Sequence, residues 1–239
     1  MTESHSEFYE RWSAAAGPYF GWQFEQFAPY IGKRAVDVGC GLGSFVPNFV
    51  GHGVEGYWGV EPDVDLRRRF LERHRDPRVH LTAATDATDP KLAGEMKDLA
   101  IDTCFSVNVI EHIERDDLSL GNMIAGTKAG GHICLLVPAH PFLYGSLDAL
   151  DHHFRRYTKA SLTDLVARAG GGKVAWVDLY YFNAIAAFGW FLKGRVLKET
   201  KQADENWAVM NMALPFASRA EKIMRPPFGL SLIAILRRL

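Results

Sequence analysis

No apolar run in the 239 residues reaches the roughly 18–20 that a membrane-spanning helix needs. The longest, Tyr180 to Leu192 (YYFNAIAAFGWFL), is interrupted by Asn183. It is expected to form a buried helix, with a hydrophobic substrate wall or a membrane-surface contact as the functional alternatives. Cysteine is scarce as well. Cys40, Cys104 and Cys134 are odd in number and each lies in an apolar, strand-like context, which argues against a disulfide framework and predicts buried free thiols in a reducing compartment. Excess basic charge is also missing: Lys and Arg total 27 against 28 Asp and Glu, for a net charge of −1. Without a positive field to condense a polyanion, nucleic acid is not the expected partner, and Arg67-Arg68-Arg69 reads as a solvated helix face. The opening MTESHSEFYERW carries acids and no apolar segment, so neither a secretory signal nor a basic transit peptide is expected, and the reading is cytoplasmic. Internal repeats and low-complexity tracts are lacking too. At 48% hydrophobic and 23% charged residues, the composition is that of one ordinary globular domain with a sizeable core.

What is present is alternation. Tyr9 to Tyr30 is aromatic-rich and predicted helical in two pieces broken at Gly17-Pro18. Strands are predicted at Arg34–Val38, Gly56–Val60, Val79–Thr82, Ala100–Val107, His132–Val137 and Val174–Leu179. Helices are predicted at Ser44–Gly51, Asp63–His74, Asp116–Ala129 and Ser161–Ala169, the last ending at a run of three glycines. Such a series implies an α/β fold with a doubly wound parallel sheet, whose ligands sit at the carboxyl ends of the strands near the switch in strand order.

Directly behind the first strand stands AVDVGCGLGSF, residues 35 to 45, with three glycines in five positions. A dinucleotide fingerprint wants G-x-G-x-x-G/A, but the sixth place counted from Gly39 is Ser44 and from Gly41 is Val46. No Lys-Ser/Thr pair follows, which removes a Walker-type phosphate loop. The loop still presents backbone N–H groups at a helix N-terminus, suited to a modest anion such as a carboxylate. Glu61, in YWGVEPD at the end of the second strand, is placed to accept both hydroxyls of a ribose. Together these describe an amino-acid nucleoside.

The stretches VDVGCGLG and GVEPD, followed by TDATDP, NVIEHIERDD, VPAHPFLYGSLDALDHHFRRYTKASL and PPFGLSLIAI, resemble class I S-adenosylmethionine-dependent methyltransferases, in particular a bacterial small-molecule or glycan-pathway subgroup. The resemblance covers nearly the whole chain. It implies a Rossmann-like doubly wound seven-stranded sheet with an antiparallel last strand, and a single domain divided into a helical cap (1–31), a cofactor-binding core (32–179), a helical insert (180–225) and the last strand (226–239). It implies S-adenosyl-L-methionine as cofactor and S-adenosyl-L-homocysteine as product. Asp37, Gly39, Cys40, Gly41 and Gly43 would shape the methionine end, Glu61 and Pro62 the ribose, Asp86 and Ala87 the adenine edge, and Asn108 and Val109 the floor beneath the sulfonium. Where the subgroup has a glycine before its histidine, this chain has Asp151-His152-His153.

A sulfonium methyl is already an activated electrophile, so orientation and water exclusion supply much of the catalysis. A base matters when the acceptor is an O- or N-nucleophile with a proton to lose, and His153, His140 and His112 are the candidates. Tyr19, Tyr144, Arg156 and Tyr157 are the candidate acceptor-binding residues, since a guanidinium fork matches an anionic group. The bland alternative has Arg155 and Arg156 as structural partners of acids such as Asp148 and Asp151. Likewise TDATDP is good turn and capping chemistry. Aromatic residues crowd the N-terminal segment (Phe8, Tyr9, Trp12, Tyr19, Phe20, Trp22, Phe24, Phe27) and the insert (Tyr180, Tyr181, Phe182, Phe188, Trp190, Phe191), as acceptor walls or as core and homodimer contacts. Glu111-His112 with Asp116, His140 and His153 holds enough ligand atoms for a metal-assisted transferase, but no compact ligand spacing supports one and no metal is expected. The rival from another class is a non-catalytic S-adenosylmethionine-binding regulator or partner subunit. The expected partner is a small-molecule acceptor.

Overall fold

A computed structural model describes residues 16–198 and 205–239. Phe8, Tyr9, Trp12 and the first piece of the aromatic N-terminal helix lie outside the described residues. Seven strands, β1 (Arg34–Val38), β2 (Gly56–Val60), β3 (Val79–Leu81), β4 (Thr103–Val107), β5 (His132–Pro138), β6 (Val174–Phe182) and β7 (Ser231–Arg238), form one sheet in the order β3-β2-β1-β4-β5-β7-β6. The first five pair in parallel. β7 slots antiparallel between β5 and β6. The chain reverses its direction of winding between β1 and β4, which opens the crevice at their carboxyl ends.

The inner strands are buried on both faces, as continuous apolar runs of a parallel sheet must be. Alternate residues feed two cores. On one face Val36, Val38, Cys104 and Leu135 meet Leu92 and Met96 of α4 (Pro90–Asp98), Leu120 and Met123 of α5 (Asp116–Gly126), and Leu162 and Leu165 of α7 (Lys159–Gly170). On the other, Phe105 is ringed by Phe24 and Phe27 of α1 (Gly17–Phe27), by Phe45, and by Phe49 of α2 (Val46–His52), with ring centroids 4.9 to 6.3 Å apart. Edge-to-face pairs of this kind add about 0.5–1.5 kcal/mol each beyond their buried area. Of the two readings of the N-terminal aromatics, those within α1 therefore take the core one. The remaining helices are α3 (Val64–Arg73), α6 (Ser146–Leu150), α8 (Ala184–Trp190), which continues as a π-helical turn over Phe191–Val196, and α9 (Glu205–Ile223). Asp63 caps α3 by accepting from the Asp65 and Leu66 amides, and Gly171, at φ 51°, ends α7. All three cysteines are buried and free. Among the described residues no helix is long and apolar enough to cross a membrane.

The apolar run from Tyr180 is not the buried helix expected. Tyr180, Tyr181 and Phe182 extend β6 and pair with Ile233, Leu232 and Ser231 of β7, so the insert starts after residue 182. Asn183, at φ 61°, turns the chain and caps α8 by accepting from the Ala186 amide. α8 buries Ala187 alone and leaves Ile185 and Phe188 exposed. An apolar run cannot be assigned to strand or helix by periodicity, and here the free edge of β7 decides for strand. The strand expected from Ala100 begins at Thr103, because Ala100 turns at φ 50°. The helix α4 has no counterpart in the sequence reading, which assigned no element between TDATDP and the fourth strand.

Candidate active site

The loop after β1 is shaped by main-chain geometry. Gly39, Gly41 and Gly43 adopt φ of 77°, 54° and 76°, a region that favours glycine. The Gly39 and Cys40 amides donate to the Val60 carbonyl at 2.8 and 3.1 Å, tying the loop to the end of β2. A Cβ on Gly39 would overlap Val109, and one on Gly43 would overlap His74 and Phe70. A Cβ on Gly41 would meet nothing within 4 Å. The loop is thus pinned at both ends and open in the middle, at Gly41. Cys40 fills the space above Gly59, a packing role, and burial pushes its thiol well up.

Two buried acids stand at the strand ends beside this loop. Glu61 is 7% exposed; its Oε2 accepts from the Gly41 amide at 3.0 Å and its Oε1 from the Asp63 amide at 2.9 Å. The sequence reading left the loop amides to an external anion, whereas here one of them is taken by Glu61. A carboxylate oxygen can accept more than one hydrogen bond. The next residue, Pro62, is exposed and leads into the cap of α3. Arg67 holds the backbone of this corner, donating to the carbonyls of Glu61 and Thr82, so it is more than a solvated face. Arg68 and Arg69 do lie on the surface of α3, paired with Asp65, and Arg68 with Glu72 as well. Asp37, 2% exposed, accepts from the Tyr57 hydroxyl at 2.6 Å. Burial, opposed by that bond and aided by Glu61, raises its carboxyl to about 7.

Asn108, exposed and at φ 52°, and half-buried Val109 follow β4, with Val109 against Gly39. Asp86 is exposed and accepts from the Thr88 amide and hydroxyl at 2.7 and 2.8 Å, which is turn chemistry. Ala87 is buried, and its carbonyl accepts from Asn122 at 3.0 Å. The open Gly41 and the acid at the end of β2 stand together at the strand ends, a donor and acceptor set of the kind an amino-acid nucleoside calls for.

The histidine block after β5 is organised by Asp148, which is fully buried. Its Oδ1 accepts from Arg156 Nε at 2.6 Å and pairs with His153 Nδ1 at 3.0 Å; its Oδ2 accepts from the Gly145 amide at 2.9 Å and Trp190 Nε1 at 3.2 Å. Burial alone would raise the Asp148 carboxyl, but His153 and Arg156 hold it down at about 2. His112 lies against His153, ring centroids 4.5 Å apart and near-perpendicular. Desolvation and then the neighbouring His153 hold the His112 imidazole below its ordinary value. His140 is not part of this group: its ring is stacked between Phe228 and Tyr181 at 4.2 and 4.7 Å.

The expected acceptor ligands are placed differently from the sequence reading. Arg156, 5% exposed, is turned inward to Asp148 and the Ala139 carbonyl, and Tyr157, 3% exposed, donates to Asp116 at 2.9 Å. Arg155 also pairs with Asp116, at 2.7 Å. The structural alternative for the two arginines is the one the geometry follows, with Asp148 and Asp116 as the acids. Tyr144 donates to the His153 carbonyl at 2.8 Å. Tyr19 sits apart with Asn183, whose Nδ2 donates to it at 3.0 Å, and burial raises its phenol to about 12.

Sequence reasoning gave Asp148 only as a structural partner for an arginine and Trp190 only as one aromatic of the insert, and left Glu111 as one ligand of a rejected metal set. The signal for Glu111 was its place between Ile110 and Ile113, where an acid is carried into the core with its apolar neighbours. For Trp190 no local signal exists, because its partner lies in another segment.

Residues 23–171, more than half of the chain, match the methyltransferase domain family. Curated relatives include the tRNA U34 carboxymethyltransferase of Pseudomonas aeruginosa, 35% identical over 98 residues covering 38% of this chain and 29% of that protein. An uncharacterized methyltransferase of Mycobacterium leprae is 36% identical over 116 residues, covering 48% and 40%. The chain spans between 29% and 50% of the length of such relatives. Among solved structures, an S-adenosylmethionine-dependent methyltransferase from Archaeoglobus fulgidus superposes with a TM-score of 0.62 at 18% identity over 99% of this chain and 100% of that one. A geranyl diphosphate methyltransferase in complex with S-adenosylmethionine gives 0.63 at 10% identity over 91% and 84%; both likenesses speak for the fold. A family match running from α1 to the end of α7, on a sheet whose switch point carries this glycine loop, makes the chain a member of the methyltransferase domain family.

Proposed function

We propose that this chain methylates a hydroxyl or amine of a small-molecule acceptor, in secondary-metabolite or glycan biosynthesis, and that the acceptor meets the histidine block after β5. S-adenosylmethionine, when bound, supplies a methyl group on a positively charged sulfur. In this reading Asp37 and the loop from Gly39 to Gly43 hold the methionine end, Glu61 and Pro62 the ribose, Asp86 and Ala87 the adenine edge, and Asn108 and Val109 the floor of the crevice. The observation that carries it is the pair of His153 Nδ1 with Asp148 Oδ1 at 3.0 Å. A carboxylate on Nδ1 assigns the proton to that nitrogen and leaves Nε2 as the base. Asp148 thereby orients the ring, and Arg156 and Tyr157 fix the block around it. Tyr144 and Tyr19 are the candidate acceptor contacts, and a homodimer contact is assigned to the exposed face of α8. The balanced net charge of −1 favours a small acceptor over a polyanion.

The test is calorimetry with S-adenosylmethionine, S-adenosylhomocysteine and NAD, followed by a search for S-adenosylhomocysteine formation with hydroxylated and amine acceptors and with bulk tRNA. The sulfur compounds are expected to bind, NAD not to, and turnover to appear with a small acceptor. Binding without turnover on any acceptor makes the chain a non-catalytic regulator; turnover on tRNA alone overturns the acceptor class.

A further inference from the structure

Glu111 is completely buried, and neither of its carboxylate oxygens reaches a hydrogen-bond donor of another residue among those described. A buried carboxylate without a donor is costly and calls for a partner. Around it stand two imidazoles. One ligand atom each from Glu111, His112 and His153 lie within 4.8 Å of one another. Of the larger set the sequence offered, Glu111, His112 and His153 come together because His153 is brought back to Glu111-His112 by the turn after α6, where the Phe154 amide donates to the Glu111 carbonyl at 2.8 Å.

The supports behind the two rings are already built. His153 uses Nδ1 on Asp148 at 3.0 Å, and that carboxylate is itself held by Arg156, Trp190 and the Gly145 amide. His112 is hydrogen-bonded to the backbone of Asp151. Carboxylate and backbone partners of this kind are what orients histidines toward a metal ion. We propose that Glu111, His112 and His153 form a binding site for a divalent transition-metal ion of the zinc or manganese class. Two imidazoles and one carboxylate suit such an ion better than Mg²⁺ or Ca²⁺, which favour all-oxygen sets. Bonds of about 2.0–2.2 Å require the three atoms to close up. His112 is the exposed member of the three and gives an ion access from solvent.

Three protein ligands leave open positions on the ion. The site lies in the block assigned above to the acceptor, and only the use of the ion rests on that reading: an acceptor oxygen in an open position would be acidified by the metal, with His153 serving as ligand in place of base. Binding of the ion itself is independent of methyl transfer.

The experiment uses the full chain, stripped with EDTA and desalted, titrated with ZnCl₂ by calorimetry and with MnCl₂ by electron paramagnetic resonance. One equivalent is expected to bind, and His112→Ala and Glu111→Gln are each expected to weaken it by roughly tenfold or more. His112 is exposed, so its variant keeps the test alive if Glu111→Gln fails to fold. His140→Ala, outside the cluster, is expected to bind the metal as the parent does. No saturable binding of either ion, or parent-like binding by His112→Ala, overturns the site. S-adenosylmethionine titrated in parallel separates the two readings. Cofactor binding without metal binding removes the ion alone, while metal binding without cofactor binding upholds the ion and removes methyl transfer.

Discussion

The loop after β1 and the block after β5 stand at the same edge of the sheet and are built from different materials. The first is main chain: three residues at positive φ, two amides on the Val60 carbonyl, and one on Glu61. The second is side chain: Asp148 gathers Arg156, His153 and the Gly145 amide of its own stretch, and Trp190 from beyond β6, into one buried centre. A main-chain cradle tolerates change in the side chains around it. A buried ionic centre rests on the side chains themselves and fails as a unit when one member goes. Substitutions in the two regions therefore have different signatures, turnover and stability on one side and cofactor affinity on the other.

The largest effect is expected at His153. His153→Ala is predicted to lower turnover by roughly 10²–10⁴-fold while cofactor affinity, measured by calorimetry, stays near the parent's. Normal turnover with a genuine acceptor would move the base elsewhere in the block. Next comes Asp148→Ala, which removes the carboxylate that bonds the buried Arg156. Loss of one partner from a buried pair costs about 3–5 kcal/mol, to be read as a fall in the urea midpoint. A loss below about 1 kcal/mol, the range of exposed pairs, would erase the contrast between the two regions.

The same contrast explains what was legible in the sequence. The positions of Gly39, Gly41, Gly43 and Glu61 were readable because spacing and strand ends encode main-chain geometry, and the succession of strands and helices along the chain followed from the alternation. The inward turn of Arg156 was not readable, since whether a guanidinium faces a ligand or Asp148 depends on packing that brings Trp190 beside them. Tyr180 to Phe182 were misassigned because the edge of β7, contributed from the far end of the chain, decides between strand and helix there. Glu111 was visible as an acid among isoleucines, yet its proximity to His153 depends on the turn after α6.

A pH experiment sharpens the main-chain side. Asp37 is buried, with its carboxyl raised to about 7 by desolvation, against the Tyr57 bond and with Glu61 adding to the rise; Cys40 also faces it. The folded state holds this proton more tightly than the unfolded state, whose carboxyl titrates near about 4. Stability contributed by Asp37 is therefore full below about pH 4 and declines as pH rises toward about 7, flattening above. Asp37→Asn keeps an acceptor for Tyr57 and has no such decline. Relative to the parent, the variant is predicted to gain about 1–3 kcal/mol between pH 4 and pH 8, with contributions from other groups cancelling in the difference. A constant difference across that range would show Asp37 ionised in the folded protein near its ordinary value.

The smallest effect is expected at Glu61, and it bears on how far the main-chain cradle works alone. Glu61→Ala frees the Gly41 and Asp63 amides, which water at this edge can take up, so the cost in stability is about 1 kcal/mol. Cofactor affinity is predicted to fall roughly tenfold, as expected when a charge-assisted bond to a ribose hydroxyl is lost. Glu61→Gln separates the two roles of the side chain. It keeps one acceptor oxygen for the Gly41 amide, so the loop is held, but the charge offered to the hydroxyls is gone. If Glu61→Gln binds like the parent and Glu61→Ala does not, Glu61 acts by bracing the glycine loop. If both lose affinity equally with the fold intact, the carboxylate itself receives the ribose. If neither loses affinity, the ribose is bound elsewhere and the loop's glycine geometry suffices without its acid.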